Sequence, residues 1–175
     1  VSEGGVTLFE DEVLFPQGGT VAHTWGPVGG RVTILSQPGR TSVGVFGAVT
    51  IDHQSPRFHF RFEAGRFNTK TFLTFVRQLI RYYKGHRIHL IVDGAPYHKS
   101  AMKWSRKHAD QIQIHLLPTA SPRLNPTETI WRITKKEATH NRYFPKRDIL
   151  RGAIRRRFNR YQGNPASLRG VVKEW

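Results

Sequence analysis

Apolar and polar positions change period several times along the chain, and each change marks an element. Residues 6–15 read as a strand whose apolar run is interrupted by Glu10-Asp11-Glu12. Residues 16–30, rich in Gly and Pro, are expected to form a loop or irregular hairpin arm. Within that arm Trp25 is expected to pack. Residues 32–35 make a short strand candidate, and residues 42–51 alternate small and apolar side chains as a strand does. Phe58, Phe60 and Phe62 alternate with Arg57, His59 and Arg61, the pattern of a half-buried strand after the turn 52–56. The period then lengthens: positions 72, 73, 75, 76, 79, 80 and 83 are apolar. That spacing predicts a helix capped at Asn68 or Thr69, running to about Lys84 and stopped by Gly85. Residues 87–92 form an almost wholly apolar run, as in a central strand covered on both faces. A short helix over 99–108, a strand over 112–117 and a loop over 118–122 follow. Asn125 is placed to cap a helix from Pro126 to about Thr139. A last helix near 146–161 has apolar positions at 149, 150, 153, 154 and 158.

Three strands followed by helix, strand, helix, strand and helix predict an α/β fold. The sheet is mixed and five-stranded: an antiparallel meander extended by crossover-connected parallel strands, with helices on both faces. In such sheets, function collects at strand ends where the order changes.

Composition narrows the chemistry. The chain has 175 residues, sufficient for one domain with a sizeable core, so residues 1–175 are taken as a single domain with a basic helical segment from about 146 to 175. No apolar stretch approaches the ~20 residues of a membrane span, which predicts no membrane partner. With no cysteine there is neither a disulfide framework nor a thiolate metal site, as fits an intracellular protein. Lys and Arg number 28 against 12 Asp and Glu, a formal net charge of +16. Such an excess points to a polyanion, above all nucleic acid. Residues 121–175 hold 14 Lys and Arg against Glu128, Glu137, Asp148 and Glu174, a net of +10. Arg151, Arg155, Arg156 and Arg157 lie on the basic helix with too few acidic partners to balance them, and are read as phosphate contacts.

Against this background the acids are sparse and placed at element ends. Asp93 closes the run Ile88-His89-Leu90-Ile91-Val92, Glu128 opens the helix after Asn125, and thirty-four residues separate the two. Asp11 lies on the first strand. If that strand neighbours the one ending in Asp93, both aspartates face one crevice and the Glu128 helix closes it from the side. Three converging carboxylates repel unless cations balance them. Mg²⁺, or Mn²⁺ in its place, suits an all-oxygen set, and two such ions ~3.5–4 Å apart serve in-line phosphoryl displacement. Each acid also has a plainer reading: Asp11 competes with Glu10 and Glu12, which alternation puts on the opposite face. Asp93 can cap the turn Asp93-Gly94-Ala95-Pro96, and Glu128 can complement the helix dipole. Arg123, Lys135 and Lys136 flank the proposed crevice and can hold phosphates. His98, five positions past Asp93, can contact DNA or a neighbouring carboxylate. Trp131 is expected in the core. His53, His59, His86, His89, His108, His115 and His140 show no metal-ligand spacing.

These residues resemble a family. Ile91-Val92-Asp93-Gly94-Ala95-Pro96-Tyr97-His98 resembles the VDNAPxH segment of mariner-superfamily transposases, in the branch that contains related bacterial insertion sequences. Leu124-Asn125-Pro126-Thr127-Glu128-Thr129-Ile130-Trp131 resembles their LNPIExxW segment, at a spacing found in that superfamily. Phe9-Glu10-Asp11-Glu12 resembles the first acidic segment, which equates Asp11 with its catalytic Asp. Trp25-Gly26-Pro27-Val28-Gly29 resembles the Trp-plus-Gly loop that follows it. The resemblance covers roughly residues 6–145. Gly94 and Thr127 depart from it, standing where Asn and Ile are usual.

The resemblance implies an RNase H-like catalytic domain in which Asp11, Asp93 and Glu128 bind two Mg²⁺. It implies hydrolytic cleavage of DNA at transposon ends, then attack of the freed 3′-OH on target DNA. It further implies a homodimer joining two ends, and a helix-turn-helix DNA-binding region expected outside this chain. The alternatives are another RNase H-like nuclease, such as a resolvase or RNase H, and a catalytically inactive DNA-binding module descended from a transposase.

Overall fold

One unbroken strand, β1 (Gly5–Pro16), is the axis of the molecule. The computed structural model describes residues 5–36, 39–52, 54–118 and 121–173 (Pro122 by its backbone only). His53 of the 52–56 turn, Thr119 and Ala120 of the 118–122 loop and Glu174 lie outside them. β1 pairs antiparallel with β2 (Ser42–Thr50), from Leu8↔Thr50 to Pro16↔Ser42. It pairs in parallel with β4 (Arg87–Val92), from Gly5↔Arg87 to Phe9↔Ile91. β3 (Phe58–Glu63) adds to β2, and β5 (Ile112–Leu116) adds to β4. The order is β3-β2-β1-β4-β5, the expected meander plus parallel strands. The acidic triplet does not interrupt β1, because strand pairing uses backbone groups and sends successive side chains to opposite faces.

Each face of the sheet carries its own core. On one, Leu8, Phe46, Ala48, Leu90 and Ile114 meet Phe72, Phe75, Val76 and Leu79 of α1 (Thr69–Tyr82). Asn68 caps α1 in a capping box with Thr71, and Gly85 leaves it at φ 87°. α2 (Pro96–Arg106) covers the same face. It starts three residues before the expected position, because Pro96 fits the first helical turn. On the other face, Phe9, Val13, Phe15, Val45 and Phe58 meet Ile130 and Trp131 of α3 (Pro126–Thr134). Leu150, Ile154, Phe158 and Tyr161 of α4 (Arg147–Gly163) and Leu168 and Val172 of α5 (Ala166–Val172) complete this core. The helix expected to reach Thr139 leaves α geometry at Thr134 and continues as one wider π turn, Lys135–Thr139. The basic segment divides into two helices at Asn164-Pro165, where the proline ring prevents α4 from continuing.

The expected short strand over 32–35 does not form; those residues find no pairing partner among the described residues. The arm that contains it is anchored at its root. Gln17 Nε2 donates to the Phe144 carbonyl at 3.0 Å. Asn141, at φ 54°, accepts from the Ala22 N–H through Oδ1 and donates to the Ala22 carbonyl through Nδ2, both at 2.9 Å. Beyond Ala22 the arm runs outside the core: Trp25 is 99% exposed, against the packing expected of it. No helix among the described residues is long and apolar enough to cross a membrane.

Phe158 is fully buried and its ring meets Phe15, Phe58, Phe60 and Trp131 at centroid distances of 4.8–6.4 Å. It joins the basic C-terminal region to the sheet. Phe158→Ala is expected to cost about 3–5 kcal/mol and to lower a single cooperative urea transition. A separate early transition, with the main one unmoved, would show that α4 and α5 fold apart from the sheet.

Candidate metal centre

The geometry starts from register. β1 and β4 run parallel, and their last pair is Phe9↔Ile91. Two residues further along each strand stand Asp11 and Asp93, on the face that the α3 layer covers. Asp93 follows the end of β4, where Leu117 N–H donates to the Val92 carbonyl at 2.8 Å. Past Phe9 the backbone of β1 has no β4 partner, and α3 takes over. Asn125, the N-cap, accepts from the Thr127 N–H through Oδ1 and donates through Nδ2 to the Glu10 carbonyl at 2.9 Å. The Thr127 hydroxyl donates to the Phe9 carbonyl at 3.0 Å. The threonine that departs from the expected isoleucine is thus fully buried and hydrogen-bonded. These bonds hold the first turn of α3 across β1 and place Glu128 in it, exposed.

Asp11, Asp93 and Glu128 line one cavity of about 530 Å³, together with Gly94, Lys99, Ser121 and Asn125. Trp131, one turn below Glu128, donates from Nε1 to Asp11 Oδ2 at 2.9 Å. Its indole lies so close to Gly47, the residue paired with Asp11 on β2, that a Cβ at position 47 would overlap the ring. Trp131 is in the core, as expected, and also fixes one oxygen of Asp11. Burial raises the Asp11 pKa to about 7, helped by the charges of Glu128 and Glu12 and opposed by the Trp131 and Glu12 backbone hydrogen bonds. The cavity therefore holds negative charge that the described residues leave without full compensation. Lys99 is the cation that shares its lining. Sequence reasoning missed it, although its place in the first turn after the Asp93 loop is a usable signal.

The other two acids of the triplet face the opposite layer, as alternation requires. Glu10 is fully buried and Glu12 nearly so, and both meet His98. His98 Nε2 lies 3.0 Å from Glu12 Oε1 and 3.4 Å from Glu10 Oε2, while Nδ1 lies 2.7 Å from Asp93 Oδ1. The ring is wholly buried, so it does not present itself to DNA; its partners are carboxylates. Burial alone would lower its pKa, but hydrogen bonds to Glu10 and Glu12 outweigh that and raise it to about 11. Glu10 is pushed well above the usual carboxylate range by burial and by the charge of Glu12. Tyr97, whose hydroxyl bonds Glu12, is also raised by burial and by that charge. Glu10, Glu12 and His98 are close enough together to hold an ion, yet an imidazolium already occupies the cation's place.

The basic candidates divide. Arg123 is exposed on the turn Pro122–Leu124, just before Asn125, and Lys135 and Lys136 follow the end of α3. Arg151 and Arg155 lie over the Phe62 ring on β3, 4.9 and 5.4 Å from its centroid, and Arg156 is exposed. No residue of α4 lines the cavity. Arg157 is engaged within the chain, bonding Glu137 at 2.7 Å and the Tyr161 hydroxyl at 3.0 Å. Sequence spacing could not foresee that pairing, which depends on the π turn that carries Glu137. Of the histidines given no metal role, His59 bonds the Tyr83 hydroxyl, and His89 and His115 bond each other.

The Mos1 strand transfer complex superposes with a TM-score of 0.57 at 14% identity, over 89% of this chain and 52% of that one. A pre-cleavage Mos1 transpososome gives 0.58 at 14%, over 96% and 54%. A simian T-cell lymphotropic virus intasome gives 0.56 at 13%, over 86% and 47%. The likeness is one of fold, RNase H-like, and the chain spans about half the length of the solved chains it matches. No curated protein sequence matches it. The family model for DDE superfamily endonucleases matches residues 6–151, and the chain belongs to that family.

Proposed function

We propose that this chain is the catalytic domain of a transposase, which cuts DNA at transposon ends and transfers the freed 3′-OH into target DNA. The observation that carries the reading is the convergence of Asp11, Asp93 and Glu128 on one cavity from three separate elements. Their oxygen-only donor set fits a hard divalent ion, and the pKa of Asp11, raised by burial and then by the charges of Glu128 and Glu12, is one that a bound cation would lower. Two Mg²⁺ or Mn²⁺ ions held there would supply Lewis acidity to the attacking and leaving oxygens of a phosphodiester.

The chain's own residues do the rest. Trp131 holds Asp11 by one oxygen and keeps its carboxylate plane fixed. Lys99 offers a cation to a backbone phosphate entering the cavity. Arg123, Lys135 and Lys136 extend positive charge along the α3 side. Arg151, Arg155 and Arg156 of α4 make a second basic face, away from the cavity, suited to a flanking duplex. Two ends require two catalytic sites, which supports a homodimer on DNA inside the cell.

Asp93→Asn and Glu128→Gln should each lower Mg²⁺-dependent nicking of end DNA by on the order of 10³-fold or more, with melting temperature little changed. Wild-type activity in either variant overturns the reading. Incubating pre-cut ends with target DNA separates a transposase from a plain nuclease, since only the former yields joined products. The logarithm of the DNA-binding constant should fall linearly with the logarithm of salt concentration, the mark of phosphate contacts.

Asp11 also predicts a pH dependence. Its folded pKa of about 7 lies above the ordinary 3.8, so its stabilising contribution is complete at low pH and is lost as pH rises between these values. Asp11→Asn should remove this share of the decline in melting temperature between about pH 4 and pH 7. At pH 7.5, Mg²⁺ should raise the melting temperature of the wild type and not of Asp11→Asn.

A further inference from the structure

His98 sits behind Asp93, outside the cavity, and no step above uses it. Its ring is wholly buried and fixed by the edges of Phe72 and Tyr97, each at a centroid distance of 4.5 Å. Both ring nitrogens face carboxylate oxygens, so both donate. Nδ1 bonds Asp93 Oδ1 at 2.7 Å, and the Ala95 N–H donates to the same oxygen at 2.9 Å. Asp93 Oδ2 accepts nothing from the described residues, and the side chain is about half exposed at the cavity. On its far side, the ring is anchored by Nε2 to Glu12 and lies beside Glu10, adjacent in sequence to Asp11 on the rigid central strand.

We infer that His98 is the positioning residue for Asp93: braced against Glu12, it captures Oδ1 and leaves Oδ2 alone to ligate the divalent ion. This rests on the metal-centre reading and adds a division of labour to it. The two aspartates are each held by one oxygen from behind, Asp11 by Trp131 and Asp93 by His98. Glu10 and Glu12 are then a buried counter-charge that keeps the ring in place, not ligands. Hydrogen bonds of this kind to a ligating group typically alter metal affinity 10–100-fold when removed.

The two nitrogens can be tested apart. An asparagine amide places its nitrogen near Nδ1, and a glutamine amide near Nε2. His98→Asn should keep Mn²⁺ affinity, read by electron paramagnetic resonance without DNA, within about 3-fold of wild type. His98→Gln should weaken it about 10-fold or more, at a similar melting temperature. Equal affinities in the two variants overturn the inference. If either variant does not fold, the wild type decides by ¹⁵N-histidine NMR. Added Mg²⁺ should shift the His98 Nδ1–H resonance more than the Nε2–H, and an unmoved Nδ1–H overturns the proposal. Asp93→Asn is the control: wild-type Mn²⁺ affinity there sinks the metal centre itself, whereas loss there with none in His98→Gln sinks only the role given to His98.

Discussion

Glu10, Asp11 and Glu12 follow one another on a strand paired on both sides, and the molecule is arranged around the cost of holding them there. A carboxylate out of water is expensive unless paired, hydrogen-bonded or neutralised. The pleat separates the three into two layers. Glu10 and Glu12 enter a largely buried layer, shared with one imidazolium. Asp11 enters the other, where burial keeps its pKa high against the hydrogen bonds from the Trp131 indole and the Glu12 backbone. Glu12 is hydrogen-bonded to His98, whereas Glu10, 3.4 Å from the same ring, is buried with no donor in good hydrogen-bond geometry among the described residues.

Bringing Glu128 to Asp11 needs a helix to end against a strand at close range. Three small devices accomplish it. Asn125 accepts from its own helix through Oδ1 and donates to β1 through Nδ2. Thr127 adds a hydroxyl bond to β1, so a position expected to be aliphatic docks by polarity instead. Gly47 leaves room for the indole that completes the contact. The departure at Thr127 therefore leaves the placement of Glu128 intact.

Most of the frame was legible in the sequence, for a physical reason. The β4 run and the α1 stripe bury one side or both along their whole length, so hydrophobicity alone encodes them. The Asp93–Glu128 spacing marked two element ends, and parallel pairing then brought Asp11 alongside. What was illegible depends on partners far away in sequence. Nothing near residues 32–35 says that no strand will pair with them. Exposure of Trp25 likewise reflects an arm that leaves the core at Ala22. Arg157 reads like its neighbours until the π turn brings Glu137 to it. His98 offered two meanings, and only the alternation of Glu10 and Glu12 on β1 selects between them.

A strand with acids on both faces also acts as a partition between two ionic compartments. The inner one is almost closed to solvent, and its charge balance is set when the chain folds. Dissolved ions screen exposed charges within a Debye length of about 8 Å at physiological strength and reach buried pairs far less. The outer compartment is bathed by solvent and takes its balance from the medium. One stretch of three residues thus presents its middle member to the ions of the medium, while its flanks are largely withdrawn from them.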